Sequence, residues 1–162
     1  MTTIAYKSGI IAADRRAIVD YHYVNRPIKI WKHSAVGSTR LFGGAGNGPQ
    51  VEIWKDWIIS GGLMEDRPSS LNDSEEYVAG LEIIRAAGAE PRIFFHGRFG
   101  PAEIIAEFWA IGSGGALALG AMAMGATAIQ AVEIASKFDS STGPEIDWLS
   151  FAQPATSQAS PS

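Results

Sequence analysis

Between residues 108 and 132 the chain carries no charged side chain. A run of that length has to leave water, and only a bilayer or a protein core can receive it. Gly112, Gly114 and Gly115 interrupt the run, and beyond them alanine, leucine and methionine alternate with glycine. That composition is too weakly apolar for a helix facing lipid, so the expectation is a core, and a core needs layers around it.

The patterning supplies candidates for those layers in separate blocks. Residues 2–7 and 10–14 read as strands around Ser8-Gly9, a tight hairpin signal. A polar stretch, 15–26, leads to Pro27, which favours extended backbone before it. Ile28-Lys29-Ile30-Trp31-Lys32 alternates apolar with basic residues as a half-buried strand does, and residues 39–42 form another strand entering the glycine-rich segment 43–48.

Val51, Ile53, Trp54, Trp57 and Ile58 then recur at helical spacing. A second helix is expected over 72–88, opened by Asn72, Asp73 and Ser74, with Tyr77, Val78, Leu81 and Ile84 on one face and Gly88 as its stop. Strands follow at 92–96, 102–105 and 108–111, helices at 114–125 and 127–138, and a final strand at 146–151. Segregated strands and helices predict an α+β protein of stacked layers, two sheets between two helix pairs, rather than a parallel βαβ sheet.

A length of 162 residues suits one domain, expected over 1–152, with a flexible Pro/Ser/Ala/Gln tail over 153–162. Net charge is −4 and no Lys/Arg block exceeds a pair, so no nucleic-acid or anionic-membrane partner is expected. The absence of cysteine excludes disulfides, a cysteine nucleophile and thiolate metal sites. His22, His33 and His96 lack metal-site spacing, and no metal or organic cofactor is expected. The start has no basic region followed by an apolar run, which predicts a cytoplasmic protein.

Several motifs fail on inspection. Ile111 stands where the first glycine of a G-x-S-x-G nucleophile elbow belongs, and the glycines of 43–48 are followed by neither dinucleotide nor P-loop spacing. What remains is the start of the chain. Thr2 is small enough for Met1 to be removed, which would leave one residue bearing both a hydroxyl and an α-amine. Such an amine titrates near ~7.7–8 and can accept the hydroxyl proton at neutral pH. A lysine ammonium nearby would lower that pKa, and a buried aspartate would hold the lysine. Asp14 and Lys29 stand where those roles require them.

Thr2-Thr3-Ile4, followed by Gly9-Ile10-Ile11-Ala12-Ala13-Asp14-Arg15, resembles the opening of the proteasome β-type threonine peptidases, and most of all the simpler bacterial ring peptidases. Ile28-Lys29-Ile30 resembles the lysine strand of that family. Ala45-Gly46-Asn47 is similar to its oxyanion turn, residues 110–115 to its serine turn, and residues 139–143 to its Asp-x-x-Ser-Gly segment, with Thr142 in place of serine.

The resemblance implies the αββα sandwich of N-terminal-nucleophile hydrolases. It also implies a threonine-type endopeptidase with Thr2 as nucleophile, Lys29 and Asp14 tuning its amine, the Gly46 N–H as oxyanion donor, and Ser113, Asp139 and Thr142 in support. Peptides or unfolded proteins would be its substrates. Hexameric or heptameric rings stacked in pairs are implied, and an ATPase unfoldase as a possible partner.

Other readings stand beside these. Lys32 is an alternative to Lys29, because the segment between Lys29 and Gly46 is longer than usual for the family. Thr2 could be an ordinary strand-initial residue, Asp14 could pair with Arg15 or Arg16, Lys29 could snorkel, and Gly46 could serve its turn alone. Ser113 could cap the following helix. Trp54, Trp57, Met122 and Met124 are expected to pack in the core, some of them serving ring contacts. A non-catalytic ring protein and an amidase acting on a small amide are the alternatives for the whole chain.

Overall fold

The computed structural model describes residues 2–19, 22–72 and 78–152, with residues 19 and 22–25 described in backbone only. The fate of Met1, the 73–77 start of the expected second helix, and the 153–162 tail therefore lie outside the described residues.

Strands β1 (Thr3–Lys7) and β2 (Ile10–Asp14) form the expected hairpin. Its Ser8 and Gly9 both have positive φ, 51° and 80°, the geometry that lets a two-residue turn follow the strand twist. β10 (Phe108–Gly112) and β11 (Ile146–Ser150) flank the hairpin, giving an antiparallel sheet in the order β10-β1-β2-β11.

A second sheet runs β5-β6-β7-β8-β9, from β5 (Ile30–Ala35) and β6 (Ser38–Gly46) through β7 (Val78–Ala86) to β8 (Arg92–Gly97) and β9 (Gly100–Ile104). Between the two sheets in sequence, β3 (Ala17–Val19) and β4 (His22–Asn25) pair as a small ribbon where only a polar connection is expected. Within the two strands themselves, Ile18, Val19, Tyr23 and Val24 outnumber the polar His22 and Asn25.

The sheets face one another across a core that includes Ile4, Tyr6, Ile11 and Ile111 on one side and Leu41, Leu81, Ile83 and Ile93 on the other. Behind the first sheet lie helices α2 (Gly115–Ala123) and α3 (Ala128–Phe138). They come close because the outer face of that sheet is alanine: Ala5 stands opposite both Ala12 and Ala110, and the three pack against Ala118, Met122, Ala131 and Val132. The uncharged 108–132 run is thus one strand, the whole of α2 and the start of α3. Among the described residues no helix is long and apolar enough to cross a membrane. Met122 is buried as expected, but Met124 ends its helix 90% exposed and does not pack in the core.

Helix α1 (Gly48–Ile59) covers the outer face of the second sheet, capped by the Asn47 side chain on the Gln50 N–H at 3.1 Å. Trp54, Trp57 and Ile58 are buried against Phe42 and Val78. The layers are those of the αββα sandwich, with one difference from two helix pairs. The segment expected to be helical from Val78 onward is β7, the centre of the second sheet, and among the described residues only two short 3-10 turns, Met64–Asp66 and Ser69–Asn72, accompany α1.

The reason lies in burial on both faces. Ala79, Leu81 and Ile83 point between the sheets, while Val78 and Gly80 point at α1. A strand buried on both sides has no polar alternation, and apolar residues three apart then imitate a helix. Gly80 decides the matter, since a Cβ there would lie 2.4 Å from the Trp54 ring. The glycine is the seat of the tryptophan. Nearby, Glu82 and His96 are buried on adjacent strands, His96 Nε2 lying 2.6 Å from the Glu82 carboxylate.

Candidate active site

Asp14 ends β2 almost fully buried, and every acceptor position of its carboxylate is used. Oδ1 accepts the Thr3 N–H at 2.9 Å and Lys29 Nζ at 3.0 Å; Oδ2 accepts the Arg16 N–H at 3.0 Å and the Gly143 N–H at 2.9 Å. Lys29 lies one residue before β5 rather than within it, where its carbonyl still accepts from the Gly44 N–H of β6. Its ammonium donates to Asp14 and, at 2.6 Å, to the Arg16 carbonyl. Burial pulls the Lys29 pKa below 10.5, and the Asp14 charge opposes that shift.

Lys32 is placed elsewhere. Its ammonium donates to the carbonyls of Ser150 and Phe151, at 2.9 and 3.2 Å. Ser150 pairs with Ile10, beside the Ser8-Gly9 turn, whereas Asp14 is at the opposite end of β2. Four residues of strand separate the two ends by about 13 Å.

A second cluster centres on Asp139, the residue that closes α3. Ser113 Oγ and Thr142 Oγ1 both donate to its Oδ2 at 2.6 Å, and the Ser141 N–H reaches Oδ1 at 3.1 Å. Thr142 Oγ1 also lies 2.6 Å from Thr3 Oγ1. A hydroxyl has one proton, and Thr142 gives its own to Asp139, so the Thr3 hydroxyl is the donor in that pair. Ser113 does not cap α2, whose N-cap is Gly114 without a side-chain bond. The capping reading of Ser113 gives way to a hydrogen bond with Asp139.

Partial burial acts to raise the Asp139 pKa, but the bonds from Ser113, Thr142 and Ser141 outweigh it and hold the carboxyl below 3.8, the ordinary aspartate value. A carboxyl depressed on folding contributes stability that is present above its unfolded pKa and lost as pH falls through the folded one. The acid arm of the unfolding curve should therefore extend below pH ~3.8 and become shallower in Asp139→Asn. Thermal unfolding of both chains from pH 5 down to pH 2 checks this; superimposable acid arms would refute it.

Thr3 joins the two clusters, its N–H on Asp14 and its hydroxyl on Thr142. Thr2 is held from the other side, its carbonyl accepting the Ser113 N–H at 2.9 Å. Gly112 makes this possible: its φ is 93°, and a Cβ there would fall 1.7 Å from the Thr2 oxygen. Thr2, Gly46 and Ser113 line one cavity of about 600 Å³. Gly46 ends β6 with φ 117° immediately before the Asn47 cap of α1.

The structure therefore gathers the seven residues singled out in the sequence around the first described residues of the chain. Asp14 and Lys29 form one cluster, Ser113, Asp139 and Thr142 the other, and Thr2 and Gly46 share the cavity. Sequence reasoning missed Thr3, the Arg16 carbonyl and the Gly143 N–H. Only the second of two consecutive threonines signalled Thr3, and backbone groups leave no residue-type signal at all.

No protein-family model matches the chain, and no curated protein matches it in sequence. Solved structures do resemble it. A Gly-1 mutant of Anbu from Hyphomicrobium sp. strain MC1 superposes with TM-score 0.71 at 13% identity, over 93% of this chain and 81% of that one. HslV from Trypanosoma brucei gives 0.62 at 15% identity, over 91% and 97%. BPH from Thiobacillus denitrificans, solved in complex with epoxomicin, gives 0.60 at 20% identity, over 91% and 96%. At these identities the likeness is one of fold, the αββα sandwich.

Proposed function

We propose that this chain is a threonine-type endopeptidase, the subunit of a cytoplasmic self-compartmentalising ring. The observation that carries the reading is the double restraint at the start of the chain. The Thr2 carbonyl is held by the Ser113 N–H and the Thr3 N–H by Asp14, whose same oxygen binds the Lys29 ammonium. A strand-initial threonine without a task needs no buried Asp–Lys pair at its side.

The chemistry is acyl transfer. With Met1 removed, Thr2 Oγ attacks the peptide carbonyl and passes its proton to its own α-amine. Lys29 keeps that amine's pKa low by charge repulsion, and Asp14 orients Lys29. The Gly46 N–H stabilises the oxyanion, an effect worth roughly 3–4 kcal/mol for a single donor. The leaving amine takes up the proton as the C–N bond breaks, and water then hydrolyses the threonyl ester. Ser113, Asp139 and Thr142 support the strand that holds Thr2.

Support for the ring comes from the outer face of α2, where Leu117 and Met124 are exposed on a helix without charge. The neighbours HslV and Anbu, the latter described in one structure as an ancestral beta-subunit, share the sandwich. Six or seven subunits per ring, stacked in pairs and served by an ATPase unfoldase, complete the proposal.

The test is intact mass spectrometry before and after exposure to epoxomicin or a threonine-directed β-lactone. The expected result is a chain lighter by one methionine that gains one adduct, mapped to Thr2. An active preparation that retains Met1, or an assembled ring of processed chains that takes no adduct, would overturn the reading.

A further inference from the structure

The cavity beside Thr2 lies between the two sheets, and its walls follow from a taper in side-chain size. Along β7 the residues facing the first sheet shrink from Ile83 to Leu81 to Ala79. Along β6 only Leu41 is large, and Gly43 and Ala45 beyond it are small. Ala45 and Ala79 are cross-strand partners, so the two tapers end at the same place. Where large residues would have closed the sandwich, two methyl groups leave it open.

Phe95, Ile104 and Trp109 line the rest of the cavity and stay only partly buried, their apolar surfaces turned to an accessible space. None of the described residues lining it is charged. A packed interior rarely leaves voids much larger than water, whereas pockets for organic groups occupy about 300–1,000 Å³. At about 600 Å³ this cavity has the dimensions of a binding site.

We propose that it receives the side chain of the substrate residue flanking the scissile bond, and that this side chain is large and apolar, aromatic or branched aliphatic. The inference rests on the peptidase reading for the position of the bond: a carbonyl within reach of Thr2 and Gly46 leaves its neighbouring side chain directed into the space those two residues share. A carboxylate or ammonium placed there would lose its water and find no partner of opposite charge. Phenylalanine, leucine or tryptophan would instead cover the exposed faces of Phe95 and Trp109.

Cleavage-site mapping of a peptide mixture by mass spectrometry tests this. Large apolar residues should dominate one fixed position beside the cut. Peptides with phenylalanine there should exceed those with alanine by roughly 10- to 100-fold in kcat/KM, with glutamate and lysine lowest. Ala79→Leu fills the cavity and should turn the preference towards alanine, whereas Phe95→Ala should widen it. A preference for acidic or basic residues, or a profile that Ala79→Leu leaves unchanged, would overturn the proposal.

A second arm is independent of turnover. In the Thr2→Ala chain, N-acetyl-phenylalaninamide should shift the methyl resonances of Ala45 and Ala79, and the corresponding glutamate amide should not. A chain that shows these shifts yet cleaves no peptide keeps the cavity assignment and loses the peptidase. Unshifted methyls overturn the cavity assignment whatever the activity.

Discussion

Thr2→Ala should lower peptide hydrolysis by roughly ten-thousand-fold or more, because it removes the attacking atom, while the fold and any ring assembly persist. Deleting one hydroxyl at the start of β1 leaves the Thr2 carbonyl on Ser113 and the Thr3 N–H on Asp14 untouched. Thr2→Ser should keep about a tenth to a hundredth of the activity, since hydroxyl and amine survive and only the methyl that restrains χ1 is lost. Lys29→Ala should be nearly as damaging as Thr2→Ala. The two losses should not add, because both groups serve one step. Whatever activity remains in Lys29→Ala should move to more alkaline pH, the amine having lost the neighbouring charge that lowers its pKa. Lys32→Ala should cost little, its ammonium being engaged with the carbonyls of Ser150 and Phe151 at the turn end of the sheet. The measurement is the pH–rate profile of each variant on a fluorogenic peptide. A fully active Thr2→Ala would end the nucleophile assignment, and an inactive Lys32→Ala beside an active Lys29→Ala would move the lysine.

Legibility in the sequence followed the kind of physics involved. The opening hairpin was readable because Ser8-Gly9 stands between two runs too short for helices, and α3 because its capping box of Thr127 and Gln130 sits ahead of one apolar face. Asp14 was readable because it ends an apolar strand, whereas Ser113 and Asp139 were legible only through the resemblance of the segments that carry them. β7 was not, for its inward and outward residues are both apolar and its length suits a helix. Its sequence became intelligible only against Trp54, whose ring needs the space at Gly80. Lys29 and Lys32 share one alternation, and tertiary contacts alone separate them: one meets the buried end of β2, the other the exit of β11. The backbone donors on Asp14 were invisible for a different reason, since any residue but proline could supply them.

Those donors make Asp14 the position where a single change should cost the most stability. All four of its partners give a proton: the N–H groups of Thr3, Arg16 and Gly143, and the Lys29 ammonium. In Asp14→Asn the volume is kept, but the amide NH2 must face donors, and the Lys29 charge loses its counterion inside the protein. Breaking a buried pair in this way costs about 3–5 kcal/mol, which for a chain of this size lowers the midpoint of thermal unfolding by roughly 10 °C or more. The reverse deletion is milder. In Lys29→Met the carboxylate keeps three backbone N–H donors, which still stabilise its charge. The double variant Asp14→Asn, Lys29→Met removes the stranded ammonium and should recover part of the stability lost in Asp14→Asn while remaining inactive. Thermal unfolding of the three variants, followed by peptide hydrolysis at a temperature where each is folded, separates support from chemistry. Equal midpoints for the two single variants would show that the backbone donors do not matter to Asp14. A double variant that recovers activity with its stability would show that the pair serves the fold alone.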